Sequence, residues 1–277
     1  MSQTIQLAAR DVLVEPLPPL RVGHVHTNSS AIHSIDFVGQ LMAWPDFERD
    51  VIATFSSPST HWSNNILDVR IAGHGSQTSI SEEQLVLGDE TGLQGRVNER
   101  LGRPVTSSLQ AQRHRLRMGD FKATTRAADG YRRVPDMVIF DDVSDIKVVG
   151  EVKAPWPDAH RDMLSDGVDD FETGQGALFR RGLGQIARYM RELNVKYGFM
   201  STYEETIFLR KVDVRGVWTL QYSPVMRFDD LYTPQTEGIT TRQGLYHVAL
   251  LGEADSVFTR RGRVTSPPRN QQWTISR

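Results

Sequence analysis

Residues 132–153 read Arg-Arg-Val-Pro-Asp-Met-Val-Ile-Phe-Asp-Asp-Val-Ser-Asp-Ile-Lys-Val-Val-Gly-Glu-Val-Lys. Two apolar runs, residues 137–140 and 146–149, are separated by a polar link rich in Asp and Ser. Short apolar runs on either side of a polar link are typical of two paired strands. The stretch therefore predicts a β-hairpin, and the rest of the chain is interpreted around it.

The charged residues at one end of this hairpin are predicted to meet. Asp136 stands at the start of the first strand, and Glu151 and Lys153 stand at the end of the second. Because strand side chains alternate between faces, Glu151 and Lys153 point the same way and Val152 points into the core. Two neighbouring carboxylates repel each other unless a cation lies between them. Hard divalent cations such as Mg²⁺ take oxygen ligands of this kind, so the sequence predicts a carboxylate metal site.

The composition is that of an ordinary globular protein. The chain has 277 residues, of which 39% are hydrophobic and 24% charged, enough for one large domain or two small ones. The net charge of −2 gives no global attraction to nucleic acid or to a membrane surface, so any such attraction must be local. The absence of cysteine excludes disulfides, thiolate zinc sites and thiol nucleophiles. With neither a signal peptide nor a membrane span predicted, we expect an intracellular protein, nuclear or cytoplasmic, with no membrane partner.

The chain is predicted to have three parts. Residues 1–80 form an N-terminal extension, in which a Pro-, Ser- and Thr-rich lead-in is followed by two short helices within 31–55. Residues 81–255 form the domain that contains the hairpin, and residues 256–277 form a basic flexible tail.

Within the central domain, hydrophobic periodicity predicts the remaining elements. They are a helix over 81–101, an edge strand within 110–118, a long helix over 173–194, strands at 197–201, 206–211 and 217–222, and a helix over 239–252. The acidic link over 158–172 is predicted to be a solvated loop.

A basic segment precedes the hairpin. Residues 96–133 contain ten arginines and lysines against three acids. Two interpretations are open at this point: a solvated face, or a surface that contacts phosphates and leads into the hairpin. Arg132 and Arg133, just ahead of Asp136, are the candidates for phosphate contact.

The order of these features resembles the PD-(D/E)xK nuclease superfamily. Three motifs are matched: PD by Pro135-Asp136, (D/E)xK by Glu151-Val152-Lys153, and the QxxxY helix motif by Gln185 to Tyr189. Residues 197–210 are also similar to a strand pair in a group of fungal proteins of this superfamily. The resemblance covers residues 81–222. It implies an α/β fold with a restriction-endonuclease-like core, in which a central mixed β-sheet is flanked by helices behind an N-terminal helical extension.

The resemblance also implies an enzyme, a Mg²⁺- or Mn²⁺-dependent nuclease that hydrolyses phosphodiester bonds, with DNA favoured over RNA. It assigns metal binding to Asp136, Glu151, the carbonyl of Val152 and a helix glutamate. Glu90 suits the last position best, with Glu83 and Glu99 as alternatives.

Further roles follow from the same resemblance. Lys153 would orient the attacking water or stabilise charge on phosphorus, and Gln185 would position the backbone or the lysine. Tyr189, Arg132 and Arg133 would contact nucleic acid. The alternative is a catalytically inactive nuclease-fold protein that acts as a nucleic-acid-binding or assembly module. The oligomeric state is open, with a homodimer as one option.

Overall fold

The computed structural model describes residues 3–27, 35–57, 62, 66–71, 85–156, 162–236 and 238–255. The predicted flexible tail, 256–277, lies outside the described residues, as do residues 81–84 at the start of the predicted 81–101 helix. None of the helices in the described ranges is long and apolar enough to cross a bilayer.

The strands, in chain order, are β1 (Gln3–Ala8), β2 (Arg21–Val22), β3 (Gln40–Ala43), β4 (Ile66–Ile71), β5 (Val86–Leu87), β6 (Leu116–Gly119), β7 (Met137–Asp141), β8 (Ile146–Val152), β9 (Tyr197–Ser201), β10 (Glu205–Val214), β11 (Val217–Tyr222) and β12 (Met226–Arg227). The α-helices are α1 (Ala9–Leu13), α2 (Phe47–Ser56), α3 (Glu90–Val97), α4 (Arg103–Ala111), α5 (Thr125–Ala128), α6 (Met163–Glu172), α7 (Ala177–Glu192) and α8 (Thr241–Ala254). A π-helical segment, Asn98–Gly102, joins α3 to α4.

A mixed sheet of eight strands forms the centre of the fold, in the order β3-β11-β10-β9-β8-β7-β6 with β12 paired to β10. The pairs β8/β9 and β3/β11 are parallel, and the other pairs are antiparallel. The predicted hairpin is confirmed as β7/β8, with Met137 opposite Gly150. The strands predicted at 197–201, 206–211 and 217–222 are confirmed as β9, β10 and β11.

Helices cover both faces of this sheet, which confirms the predicted α/β class and the central mixed sheet flanked by helices. On one face α7 packs on β8 and β9, and α6 packs on β10. On the other, α8 packs on β8, β9 and β10, with α1, α2 and α4 against it. Val148 and Val152 belong to the core on the α8 side, and Val149 to the core on the α7 side. By strand alternation Glu151 faces α7.

The N-terminal segment differs from the prediction. The second short helix predicted within 31–55 is confirmed as α2, but the first is wrong: its described part contains β3, an edge strand paired in parallel with β11. Phe37 and Leu41 are buried, whereas Val38 and Met42 are exposed. Only Leu41 of the four residues of β3 is buried. Backbone pairing with β11, far along the chain, therefore outweighed the helical spacing of the apolar residues.

The prediction of a solvated loop over 158–172 is also wrong, because α6 occupies Met163–Glu172. Leu164, Val168 and Phe171 recur at helical spacing and pack into the core on the α7 side. The buried carboxylate of Glu205 accepts hydrogen bonds from the N–H groups of Leu164 (3.0 Å) and Ser165 (3.3 Å) at the start of the helix. The high acid content of the segment favours a solvated loop, but its apolar residues form one face of a helix.

The helix predicted over 81–101 begins later and continues further. The described helix starts at Glu90, where the Asp89 carboxylate caps it by accepting from the N–H of Gly92 at 2.7 Å. It runs through the π-helical segment into α4, so only the end of the predicted strand within 110–118 is extended. That end is β6, which lies at an edge of the sheet as predicted.

Helix α7 is held by the chain segment before β3. The N–H of Phe37 donates to the carbonyl of Arg180 (2.9 Å), and the Arg180 guanidinium donates to the carbonyls of Phe37 (3.0 Å) and Gly39 (2.8 Å). A Cβ at Gly184 would lie 1.7 Å from the carbonyl oxygen of Ile35. The close approach of this segment to α7 therefore requires a glycine at position 184.

We expect Gly184→Ala to lower the free energy of unfolding by about 1–3 kcal/mol, because the added methyl group overpacks this contact. Gly182→Ala, in the same helix, is the matched control. Its Cβ would meet only the Met200 methyl carbon, at 3.8 Å. Because alanine has the better helix propensity, this substitution should raise the free energy of unfolding by about 0.5–1 kcal/mol. Urea denaturation measures both. Equal effects of the two substitutions would contradict the packing described.

Candidate active site

The candidate site lies where β7 begins and β8 ends, between α3 and α7. Asp136 directly precedes β7, and Glu151 and Val152 close β8. The N–H of Lys153 donates to the carbonyl of Ser201 at 2.9 Å, so the parallel pairing of β8 with β9 continues through this point. The backbone on which these side chains stand is thus part of the central sheet rather than a loop.

Glu151 and Lys153 form a buried ion pair. The Glu151 side chain is 0% exposed and that of Lys153 is 7% exposed, and the Lys153 Nζ lies 2.5 Å from Glu151 Oε1. The predicted common orientation of these two side chains is present in the structure. Val152, between them, is buried in the core as predicted.

A chain of hydrogen bonds connects Lys153 to α7. Lys153 Nζ makes a long contact with Gln185 Oε1 (3.4 Å), and Gln185 Nε2 donates to the hydroxyl of Tyr189 (2.9 Å). The Tyr189 hydroxyl donates to the carbonyl of Val134 at 3.2 Å. The residues of the QxxxY pattern therefore connect the lysine to the segment that leads into Asp136. Tyr189 is 6% exposed.

Asp136 is fixed by two donors. Its Oδ2 accepts from the N–H of Val152 (2.9 Å), and its Oδ1 accepts from Gln94 Nε2 (3.0 Å). Gln94 had not been singled out in the sequence. The available signal was its spacing of four residues from Glu90, which places both on one face of α3.

Burial and mutual repulsion perturb the acids. Burial, reinforced by the nearby Asp136 carboxylate, raises the pKa of Glu151 to about 8, and the attraction of Lys153 only partly offsets this. The pKa of Asp136 is also raised, mainly by burial, although the Val152 N–H and Lys153 act in the opposite direction. Burial by itself lowers the pKa of Lys153, but its attraction to Glu151, with Glu90 and Asp136, raises the pKa overall. Lys153 therefore stays protonated at neutral pH.

Glu90 is the helix glutamate that acts on this site. It is half-buried at the first position of α3, and its charge contributes to the pKa shifts of Asp136, Glu151 and Lys153. Glu99 instead forms an ion pair with Arg96. Glu83 lies outside the described residues.

The donor chemistry suits a hard divalent cation. Glu151 Oε2 is buried and has no hydrogen-bond partner within the described structure, next to a second carboxylate that raises its pKa. A buried anionic oxygen without a partner is costly unless it is protonated or binds a cation. Across the described ranges, however, no three His, Cys, Asp or Glu side chains are gathered in a metal-holding group. A bound ion would therefore need backbone oxygen or water, or a shift of Glu90, besides Asp136 and Glu151.

Both arginines predicted to contact nucleic acid are exposed, and one of them forms an ion pair. Arg132 is exposed. Arg133, also exposed, forms an ion pair with Glu192, which in turn accepts a bond from Arg188 Nε at 3.0 Å. The wider basic segment is mostly solvent-facing: Arg103, Arg113, Arg115, Arg117, Lys122 and Arg126 are exposed.

No protein-family model, curated protein or solved structure matches this chain. The site has to be interpreted from its own geometry and chemistry. Its main features are a buried carboxylate beside a partly buried one, a buried lysine between β8 and α7, and a helix glutamate whose charge acts on all three.

Proposed function

We propose that the protein is a metal-dependent nuclease of the PD-(D/E)xK type that hydrolyses phosphodiester bonds, with DNA as the preferred substrate. The observation that carries the proposal is the cluster formed by the buried Glu151 and Lys153 and the partly buried Asp136 at one end of the β7/β8 hairpin. Two motifs of the resemblance, one at the start and one at the end of the hairpin, meet there.

The energetics of the cluster support a catalytic role over a purely structural one. Burying Glu151 and Lys153 beside the partly buried Asp136 costs more than packing apolar side chains of the same volume. Here the cost is increased because one carboxylate oxygen of Glu151 lacks a partner. An acid whose pKa is strongly raised, as that of Glu151 is, beside a buried amine is typical of functional sites, because catalysis needs groups whose protonation differs from that in water.

In the proposed mechanism Asp136 and Glu151 would hold Mg²⁺ or Mn²⁺, with the Val152 carbonyl and, after a shift of its side chain, Glu90 as further ligands. When bound, such an ion polarises a phosphoryl oxygen and lowers the pKa of water. The N–H of Val152 and the side chain of Gln94 hold the Asp136 carboxylate in one orientation.

Lys153 supplies the positive charge that the protein itself brings to the reaction. Its raised pKa keeps the ammonium group protonated, so it donates hydrogen bonds to the attacking water or to the phosphoryl oxygens as negative charge develops on them. The Gln185 and Tyr189 side chains limit the positions of the ammonium group, so little reorganisation is needed when the substrate binds.

The proposal predicts cleavage of DNA in Mg²⁺ or Mn²⁺ that is abolished by EDTA and by Asp136→Asn. Asp141→Asn is the matched control, because Asp141 is an acid at the other end of β7 and is paired with Lys147 at 2.9 Å. Duplex and single-stranded DNA and RNA, labelled at one end and resolved on gels, give the measurement. A wild-type protein that is inert toward all of them in both metals would refute the proposal.

A catalytically inactive nuclease fold that binds nucleic acid is the second candidate. The observation that favours it is the direct contact between Lys153 and Glu151, because an acid already paired with an ammonium group has less need of a metal. Calorimetric titration with Mn²⁺ separates the two. Binding by the wild type that disappears in Glu151→Ala supports the enzyme, and no binding supports the inactive module.

A further inference from the structure

Three hydrogen-bond donors converge on the carboxylate of Glu192, at the last residue of α7. The Tyr131 hydroxyl donates to Oε2 at 2.7 Å, and Arg188 Nε donates to Oε1 at 3.0 Å. A guanidinium nitrogen of Arg133 also donates to Oε1. We call Tyr131, Arg133, Arg188 and Glu192 the Glu192 cluster.

The Glu192 cluster lies beside the candidate active site. Arg188 adjoins Tyr189, and Arg133 adjoins Val134, whose carbonyl accepts the Tyr189 hydroxyl. Glu192 follows Gln185 by seven residues along α7, which corresponds to about 10 Å at the rise of an α-helix. The chain from Tyr131 to Asp136 thus connects the cluster to the site.

The donors of the cluster suit a phosphate group. Two guanidinium groups and a hydroxyl surround one anion, and arginine forks match phosphate oxygens as well as they match a carboxylate. Two positive charges face the single negative charge of Glu192, so the cluster keeps a net positive charge. Burial, with the carboxylate of Glu192, raises the pKa of Tyr131, so its hydroxyl remains a donor.

We propose that the Glu192 cluster is a binding subsite for a backbone phosphate of DNA that flanks the scissile phosphate. Glu192 occupies this subsite in the free protein, and the DNA phosphate takes its place on Arg133, Arg188 and Tyr131. The inference rests on the proposed function and extends it to a second phosphate.

The exposure of the side chains is compatible with such an exchange. The Arg133 side chain is 46% exposed and that of Glu192 is 28% exposed, so solvent and ligand reach both. The Arg188 side chain, at 17%, is more enclosed than that of Arg133. Arg188 thus forms the fixed part of the subsite, and Arg133 the part that can turn toward the ligand.

Binding of a short fluorescently labelled DNA duplex in EDTA, followed by anisotropy, tests the proposal without cleavage. Glu192→Gln should bind about threefold to tenfold more tightly, because the competing anion is lost. Arg133→Ala and Arg188→Ala should each bind more weakly by a similar factor and reduce the slope of log affinity against log salt by about one. Circular dichroism confirms that each variant is folded. If substitutions of Glu192 or Arg188 in α7 affect folding, Arg133→Ala still tests the proposal, because Arg133 is exposed and lies outside that helix.

Asp46→Asn is the matched control for charge. Asp46 precedes α2, on the opposite side of the sheet from α7, and pairs with the exposed Arg49. The substitution removes one negative charge, as Glu192→Gln does, and should change affinity less than about twofold. If the affinity for DNA increases no more in Glu192→Gln than in Asp46→Asn, the proposal is overturned.

Two other results would also overturn it: affinities of Arg133→Ala and Arg188→Ala equal to that of the wild type, or no DNA binding by the wild type. Failure of the subsite is distinguishable from failure of the nuclease. If the protein cleaves DNA but its affinity for DNA is unchanged by these substitutions, only the proposed subsite is refuted. If the protein binds DNA through Arg133 and Arg188 but does not cleave it in Mg²⁺ or Mn²⁺, only the proposed nuclease activity is refuted.

Discussion

Replacing Lys153 by methionine is expected to slow DNA cleavage by about 10²–10³-fold, the usual effect of removing one preorganised donor from a developing oxyanion. Methionine keeps most of the volume of the lysine stem. The loss would therefore report on the ammonium group, which lies beside Glu151 and Gln185 in the structure. Single-turnover cleavage with the enzyme in excess measures the chemical step.

Lys147→Met is the matched control for this substitution. Lys147 is on the same strand, β8, near its opposite end, and is also ion-paired, with Asp141 at 2.9 Å. We expect it to leave the cleavage rate within about twofold of the wild type, because Lys147 lies near the start of β8, away from Glu151 and Lys153 at its end. A Lys153→Met variant that is correctly folded and still cleaves at the wild-type rate would remove Lys153 from the mechanism.

Replacing Glu151 by glutamine is expected to stabilise the metal-free protein at alkaline pH. Burial, aided by Asp136, raises the pKa of Glu151 to about 8. From the ordinary pKa of glutamate, about 4.3, up to about 8, the folded protein therefore keeps a proton that the unfolded chain releases. The wild type loses stability as the pH rises through this window. Glutamine does not ionise, so the variant lacks this dependence.

The comparison calls for urea denaturation of both proteins in EDTA between about pH 5 and about pH 9. The free energies of unfolding should be close at the acid end. At the alkaline end the variant should be more stable by an amount on the order of a few kcal/mol. Parallel pH profiles of the two proteins would contradict the burial and charge environment described for Glu151.

Adding Mg²⁺ or Mn²⁺ should reverse this advantage if the proposed metal site is correct. A ligand that binds only the folded state stabilises the protein by an amount that grows with its concentration relative to its dissociation constant. The wild type should gain about 2.7 kcal/mol at a metal concentration one hundred times that constant. Glu151→Gln should gain little, because a neutral amide replaces the anionic ligand.

The hairpin and its charged end were predictable because they depend on short-range sequence features. Alternation of side chains along a strand places Glu151 and Lys153 on one face whatever the rest of the chain does. The same holds for Gln185 and Tyr189, which share a face of α7 because they are four residues apart. These local periodicities also identified the strands β9, β10 and β11 in the chain.

The predictions made from the sequence were wrong where long-range pairing or burial decided the conformation. Residues at helical spacing before Pro45 became the edge strand β3 because β11 offered a pairing partner. The acidic segment became α6 because Glu205, more than thirty residues later, accepts its first N–H groups. Neither partner is visible in the sequence near the segment concerned.

The sequence by itself determined which groups reach the hairpin end: Asp136, Glu151 and Lys153, with their order and their common face. Only the tertiary structure decided what surrounds them. It brings Gln94 to Asp136, buries Glu151 without a partner for one oxygen, and places Glu192 between Arg133 and Arg188. The physical reason is that strand and helix periodicity are properties of neighbouring residues, whereas burial and hydrogen-bond partners depend on segments that meet only when the chain folds.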